Sequence, residues 1–180
     1  MMNERPKKLS WKALKGGALT KRRGRPCQCC SMLSKKDSVE SNGVIVSCAG
    51  GGCKTSNIIY VAKCLLCPRY NCYTGKTVTT LHERLNKHRS SFTSLNKKLR
   101  SSSASTPVQL DIDLDDEQIL GAHLILKHEL SAKNAFDKNY EISIVGHCNP
   151  SNIRMKEQFF MDKLKTLFPY GLNQCQSIGD

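Results

Sequence analysis

The sequence lacks any apolar run close to the length that crosses a membrane. A membrane-spanning helix needs about 20 consecutive apolar residues, and the N-terminus has no apolar segment of the kind that directs secretion. Acidic residues are almost absent from the first 36 positions, where Glu4 is the single carboxylate. We therefore expect an intracellular protein without a membrane partner, whose N-terminal segment leaves its positive charge uncompensated.

Positive charge dominates what is present. The chain has 28 Lys and Arg residues against 15 Asp and Glu, a net charge of +13, and such a surplus favours nucleic acid as the partner. Residues 1–26 are basic and are interrupted by KGG and RGRP, so they are predicted to form a flexible arm. The basic cluster in this arm favours a nuclear location over the alternative of a transit peptide. Its candidate nucleic-acid-binding residues are Lys21, Arg22, Arg23 and Arg25.

Cysteine is abundant, with ten residues. Without a secretory signal, zinc ligation explains such cysteines better than disulfides do. Cys64 and Cys67 have the C-x2-C spacing of a zinc knuckle, and three histidines are candidate partners. The helix predicted after the second strand runs back towards this pair and would bring His88 to it. The residues themselves leave the choice between His123 and His128 open.

Residues 27–56 form a Cys-rich N-terminal extension. The segment is rich in loops and poor in apolar residues, and such a segment needs a cross-link to hold its shape. We predict a second zinc site in it, with buried free thiols as the alternative. The predicted ligands are Cys27, Cys30, Cys48 and Cys53.

The remaining chain predicts one small α/β domain over residues 57–176. Two β-rich runs, 57–63 and 71–77, are expected to pair antiparallel, and a helix should follow at about 80–90. The Ser- and Lys-rich stretch at about 90–110 is predicted to be a flexible insertion. The acidic DIDLDDEQ should form the first turn of a second helix that ends near 130. A third strand in NYEISIVGHC and a final amphipathic helix complete a three-stranded antiparallel sheet flanked by helices and stapled by zinc.

Two charged residues lie on apolar helix faces and require an explanation. Glu157 shares the stripe of the last helix, and Arg84 lies between two leucines of an earlier one. Burying an unpaired ion costs several kcal/mol, so either these two pair with each other or they face a polar site. Phosphodiester hydrolysis needs a base, a divalent cation and a positive side chain for the developing charge. Tyrosine serves as the base only if a cation such as Lys76 or the metal favours phenolate.

The motifs in this order resemble the GIY-YIG nuclease superfamily. Ile58-Ile59-Tyr60 stands where that family has Gly-Ile-Tyr, and Tyr73-Thr74-Gly75 stands where it has Tyr-Ile-Gly. Ile58 and Thr74 depart from the family pattern at positions expected to affect packing. The other matching positions are Arg84 with His88 in its helical pair, Glu157 as its metal-binding glutamate and Asn173 as its late asparagine.

The chain is most similar in layout to the endonuclease domain of Penelope-like retroelements. YVAKCLLC before CYTGKT, LHERLNKHRSS after it, and the later AHLILKHEL and PYGLN follow that subgroup, including its Cys-Cys-His-His zinc motif. The resemblance implies a structural zinc ion bound by Cys64, Cys67, His88 and His123. Residues 1–26 lie outside the similarity.

The resemblance also implies an activity and partners. Tyr60 would act as general base, Tyr73 would orient water or phosphate, and Arg84 would stabilise the transition state. Glu157 would hold Mg²⁺ or Mn²⁺, and Asn173 would support the site. The implied reaction is a nick in double-stranded DNA whose 3′-OH primes reverse transcription, with a reverse transcriptase and its RNA as partners. The alternatives are a structure-specific DNA repair nuclease of the same superfamily and a non-catalytic zinc module that binds DNA.

Overall fold

The computed structural model describes residues 27–69, 71–101 and 114–174. The predicted basic arm, including Lys21, Arg22, Arg23 and Arg25, lies outside these ranges. No helix within them is both long and apolar enough to span a bilayer. The helices are α1 (Gln28–Met32), α2 (Leu81–Ser101), α3 (Ile119–His128), α4 (Ala135–Asn139) and α5 (Ile153–Leu164), and the strands are β1 (Ser38–Ser41), β2 (Val44–Ser47), β3 (Ile58–Cys64), β4 (Cys72–Thr77) and β5 (Tyr140–His147).

The central sheet has three antiparallel strands in the order β4-β3-β5. This confirms the predicted mixed α/β architecture with a small antiparallel sheet. The middle strand β3 is apolar along most of its length because both of its faces are covered. A separate hairpin joins β1 to β2 through Asn42 and Gly43, which both have positive φ, as a tight two-residue hairpin turn requires.

The two faces of the central sheet carry different layers. Tyr60 and Tyr73 belong to the face covered by α1, α2, α3 and α4, whose core also includes Leu85. Ile59 and Val61 belong to the opposite face, which is covered by α5 and by the β1–β2 hairpin. The alternation along β3 therefore sends the tyrosines towards the first layer and the intervening residues towards the second.

Helix α2 is longer than the sequence predicted. The stretch 90–101, expected to begin a flexible insertion, is helical. Phe92 and Leu95 are buried and continue the apolar face of Leu85 at helical spacing. Serines and lysines, whose abundance led to the prediction of a flexible insertion, occupy most of the other positions of this stretch. The rest of the predicted insertion, 102–110, lies outside the described residues.

The acidic stretch precedes α3 instead of forming its first turn. An Asp115 carboxylate oxygen accepts hydrogen bonds from the backbone N–H groups of Glu117 and Gln118, at 3.0 and 2.9 Å. These bonds fix a turn whose following helix begins at Ile119. Asp116 and Glu117 are thereby placed beside the sheet and α2.

After α5, a compact turn returns the chain to β4. The Thr166 carbonyl accepts from the Asn173 N–H at 2.9 Å, and the Leu172 N–H donates to the Cys72 carbonyl at 3.0 Å. Gly171 makes this return possible, because a Cβ at this position would lie 2.2 Å from the Thr166 carbonyl oxygen.

We expect Gly171→Ala to lower the free energy of unfolding by about 1–3 kcal/mol, because the added methyl group forces the backbone of this turn apart. The matched control is Gly52→Ala, since a Cβ there meets nothing within 4 Å and neither glycine has a positive φ. Urea unfolding measures both changes. Equal stability of the two variants would contradict this account of the turn.

Candidate functional site

The site begins with the register between β3 and β4. Tyr60 pairs with Gly75, and Tyr73 pairs with Ala62. The two tyrosines therefore share one face as diagonal neighbours, with ring centroids 6.3 Å apart. A Cβ on Gly75 would lie 2.7 Å from the Tyr60 hydroxyl oxygen and 2.6 Å from a Tyr73 ring carbon. Glycine is needed here because both rings use the space above it.

The Tyr60 hydroxyl lies in a buried chain of hydrogen bonds. It is 2.8 Å from His88 Nε2, and Arg84 Nε donates to it at 3.3 Å. His88 Nδ1 lies 3.0 Å from the Glu117 carbonyl, which only accepts. Burial lowers the pKa of His88 to about 4, so the ring is neutral at physiological pH and its proton lies on Nδ1. Nε2 is then the acceptor for the Tyr60 proton.

Burial also keeps the tyrosines in their phenol form. It raises the pKa of Tyr60 to about 12, although Arg84 acts in the opposite direction. The pKa of Tyr73 is raised well above its usual value, again mainly by burial. The Tyr73 hydroxyl donates a long hydrogen bond, 3.5 Å, to the Asp116 carbonyl. The 116–117 backbone therefore contacts both the second tyrosine and the histidine.

Arg84 is held by a carboxylate that the sequence did not single out. Its Nη1 is 2.9 Å from Glu117 Oε1, and Lys87 Nζ lies 3.6 Å from the same oxygen. The predicted alternative of an Arg84–Glu157 ion pair is therefore wrong. One turn of α2 instead presents two cations to one acidic side chain.

Glu157 is buried and pairs with Lys76. The expectation that Lys76 would act on a tyrosine is corrected, since its ammonium group contacts Glu157 and it is Arg84 that reaches Tyr60. Burial raises the pKa of Glu157, and Lys76 partly offsets this effect. Asp116 also raises it, so the two carboxylates are close enough to interact.

A cavity of about 290 Å³ opens over Glu157. Lys76, Asp116 and Arg154 contribute charged groups to its lining. A neighbouring depression shares Lys76 and Arg154 and adds Arg84. The lining thus combines two carboxylates with basic side chains of the two depressions.

Asn173 fastens the strand that carries the second tyrosine. Its Oδ1 accepts from the Thr74 N–H at 2.8 Å, and its Nδ2 donates to the Thr74 carbonyl at 2.7 Å. The Thr74 hydroxyl also accepts from Thr166 at 3.0 Å. Asn173 therefore holds the outer edge of β4 at the residue between Tyr73 and Gly75, and both polar atoms of its side chain are engaged in doing so.

A cluster of side chains that could hold a metal ion lies at the other end of the hairpin. Cys64, Cys67, His123 and His128 bring four ligand atoms within 4.8 Å of one another. Cys67 Sγ lies 3.3 Å from His123 Nε2 and 3.1 Å from His128 Nε2. Burial lowers the pKa of His123 to about 4, which favours the neutral ring that metals bind. Two thiols and two imidazoles match a closed structural zinc site.

The prediction of His88 as a zinc ligand is corrected. Helix α2 places this residue beneath Tyr60, with its ring nitrogens near Tyr60 and Glu117, while His128 at the end of α3 joins the cysteines. The argument for His88 failed because it expected α2 to return to the Cys64–Cys67 turn, and the choice between His123 and His128 is not needed because both join the cysteines. Helix α3 supplies both histidines instead.

A second cluster contains three of the four predicted cysteines. Cys27, Cys30 and Cys53 lie close enough to hold a metal ion. Cys48 does not join them: its backbone N–H donates to the Asp37 carbonyl at 2.8 Å, and its thiol hydrogen bonds with Ser143. The inclusion of Cys48 is therefore wrong, because the end of β2 lies against β5.

Asp116 and Glu117 are the site residues that sequence reasoning missed. Both belong to the DIDLDDEQ stretch, which it interpreted only as the start of a helix. Acidic residues after a basic α2 were the available sign of ion pairing, but the separation of 33 residues between Arg84 and Glu117 hid it.

A scan of protein-family models, a search of curated proteins and a search of solved structures found no significant match to this chain.

We expect His128→Asn to weaken zinc binding by about 10–100-fold or more, because it removes a direct ligand. His88→Asn, the matched histidine change, should leave the affinity within about threefold, since His88 binds Tyr60 and not the cysteines. Competition against a chromophoric chelator measures both affinities. A loss of affinity in His88→Asn with no loss in His128→Asn would restore the original ligand set.

Proposed function

We propose that this protein is a metal-dependent DNA endonuclease of the GIY-YIG type. The observation that carries the proposal is the buried chain Arg84–Tyr60–His88, which ends beside a cavity lined by Glu157 and Asp116. A buried phenol needs an acceptor in any fold, but a purely structural arrangement would need neither an arginine on the same hydroxyl nor two interacting carboxylates among basic side chains.

The side chains support a proton relay. The Tyr60 oxygen accepts a proton from the attacking water while its own proton passes to His88 Nε2, so that phenolate need not accumulate. Burial opposes this transfer in the closed site, because it lowers the pKa of His88 to about 4 and raises that of Tyr60 to about 12. Entry of the substrate hydrates both groups and reduces the difference between the two pKa values. Arg84 stabilises the charge that develops on the phosphate, and Asn173 keeps β4 in register through Thr74.

Glu157 and Asp116 are the residues that would hold Mg²⁺ or Mn²⁺. The bound ion would supply charge screening for the phosphate oxygens and the leaving group. Lys76, which pairs with Glu157 in its absence, is then free to contact the DNA backbone. The cavity lining of charged and polar groups supports this assignment.

Substrate access requires the 114–118 segment to move. Tyr60 has no exposed surface, and Glu117 occupies Arg84 and Lys87 as a phosphate would. A DNA phosphate replaces this carboxylate, which releases the backbone contacts at His88 and Tyr73. The segment therefore covers the site until a stronger anion arrives.

The chain's net charge of +13 supports double-stranded DNA as the substrate. The resemblance to Penelope-like endonucleases extends the proposal: the nick leaves a 3′-OH that primes reverse transcription, in the nucleus, in association with a reverse transcriptase and its RNA. A single site with one mobile cover suits the cutting of one strand at a time.

Nicking of supercoiled plasmid with Mg²⁺ or Mn²⁺ tests the activity. We expect Tyr60→Phe and Glu157→Gln to lower the rate by about 10²–10⁴-fold, because each removes a group that acts on the reacting atoms. Tyr140→Phe is the control for the first change, since this buried phenol donates to the Leu120 carbonyl instead. Asp162→Asn on the exposed part of α5 is the control for the second.

Zinc content and circular dichroism are compared for all four variants before activity is measured. Equal nicking by Tyr60→Phe and Tyr140→Phe would contradict the relay. DNA binding without nicking by the unaltered protein, under either metal, would favour the non-catalytic zinc module.

Glu117→Gln tests the cover. We expect this variant to bind DNA about two- to fivefold more tightly, because Arg84 and Lys87 lose a competing carboxylate in a partly exposed ion pair. Glu40→Gln on β1 changes the net charge equally at an exposed position and is the control. Fluorescence anisotropy with a labelled duplex measures both affinities, and identical gains would show that only net charge matters.

A further inference from the structure

The second cysteine cluster has the spacing of a zinc site. Cys53 Sγ lies 3.8 Å from Cys27 Sγ and 3.4 Å from Cys30 Sγ. In a tetrahedral site with Zn–S bonds of about 2.3 Å, neighbouring sulfurs lie about 3.8 Å apart. These distances are too long for a disulfide, whose sulfurs lie about 2.05 Å apart. Three free thiols thus meet at one point and leave one position of a tetrahedron to fill.

His82 contacts one of these thiols, and its side chain must rotate to fill that position, because neither of its ring nitrogens lies within 4.8 Å of all three sulfurs. Its Nδ1 is 3.8 Å from Cys27 Sγ. Its backbone N–H donates to the Cys53 carbonyl at 2.8 Å, so the histidine and Cys53 are fixed to each other through the main chain as well. Cys30 is held in the same way, since its N–H donates to the Cys27 carbonyl at 3.1 Å. The four residues are positioned by backbone contacts that do not depend on a metal.

We propose that Cys27, Cys30, Cys53 and His82 form a second structural zinc site of the Cys₃His type. The site takes Cys48 out of the set that the sequence predicted and replaces it with a histidine from α2. Each thiol loses its proton to solvent as it binds, and His82 binds as neutral imidazole through Nδ1. This assignment does not rest on the proposed nuclease activity.

The position of His82 gives this site a consequence for the fold. It joins α1, the loop that contains Cys53 and the first turn of α2. Arg84 follows His82 by two residues, and its contact with Tyr60 depends on where α2 begins. A zinc ion at this point therefore fixes the N-terminal end of the helix that carries Arg84 and His88, whereas the first cluster fixes the end of α3.

The experiment is a Co²⁺ titration of the reduced full chain, followed by its thiolate-to-cobalt charge-transfer band. We expect two ions per chain. Cys53→Ser should bind one, with the Cys64–Cys67 site as the internal sign of correct folding. Cys48→Ser should bind two, because its thiol lies outside both clusters.

His82 is tested separately. His82→Ala should weaken the second ion by about 10–100-fold while leaving the first unchanged. His82→Cys should restore tight binding and add thiolate-to-cobalt intensity, a change that a purely structural role for the histidine would not produce.

Three outcomes would overturn the assignment. They are one ion per chain in the unaltered protein, loss of the second ion in Cys48→Ser, and a thiol count showing a Cys30–Cys53 disulfide in place of the ion. The role of His82 would also be contradicted if His82→Ala bound both ions as tightly as the unaltered chain and His82→Cys added no thiolate-to-cobalt intensity.

Discussion

The register that pairs Tyr60 with Gly75 is the constraint on which the site depends. A shift of one residue would turn Tyr60 towards α5 and would place Ile59 against α2. Both outer strands hold the register, because β3 is paired on each side and Asn173 fixes β4 from beyond its edge. The buried phenol then meets the histidine that α2 carries at the same level.

Local sequence patterns were sufficient for the sheet and for much of the site. The strands around Tyr60 and Tyr73 and the final helix with Glu157 were predicted because each is specified by nearby residues: alternation, a cysteine turn or an apolar stripe with polar caps. Tyr60, Arg84 and His88, which match the family motif in order, also meet, although the sequence argument directed His88 to the cysteines as well. The three reach one another because a short connection joins β4 directly to α2, so little conformational freedom separates them.

The errors concern pairings between distant segments. His88 and His128 are both plausible partners for a C-x2-C pair, and only the docking of α3 on α2 decides between them. Cys48 and His82 present the same difficulty at the second cluster. The predicted contacts of the cations were wrong for the same reason. Glu157 pairs with Lys76 and not with Arg84, and it is Arg84 that contacts a tyrosine. The spacing of residues in the sequence predicts which side chains share a face of one helix or strand. It does not predict how separate helices and strands pack against one another.

Metal ions bound at the two cysteine clusters would explain how such short helices hold their positions. Helices α1 and α4 have five residues each, and helices of this length do not persist in water without tertiary support. One cysteine cluster ties α3 to the β3–β4 turn, and the other includes residues at the start of α1. Under the proposed function, the 114–118 segment would move when an anion binds, while the two clusters would hold the helical layer in place. The layer would then stay firm beneath Tyr60 and still release its acidic cover, because the clusters and the cover involve different residues.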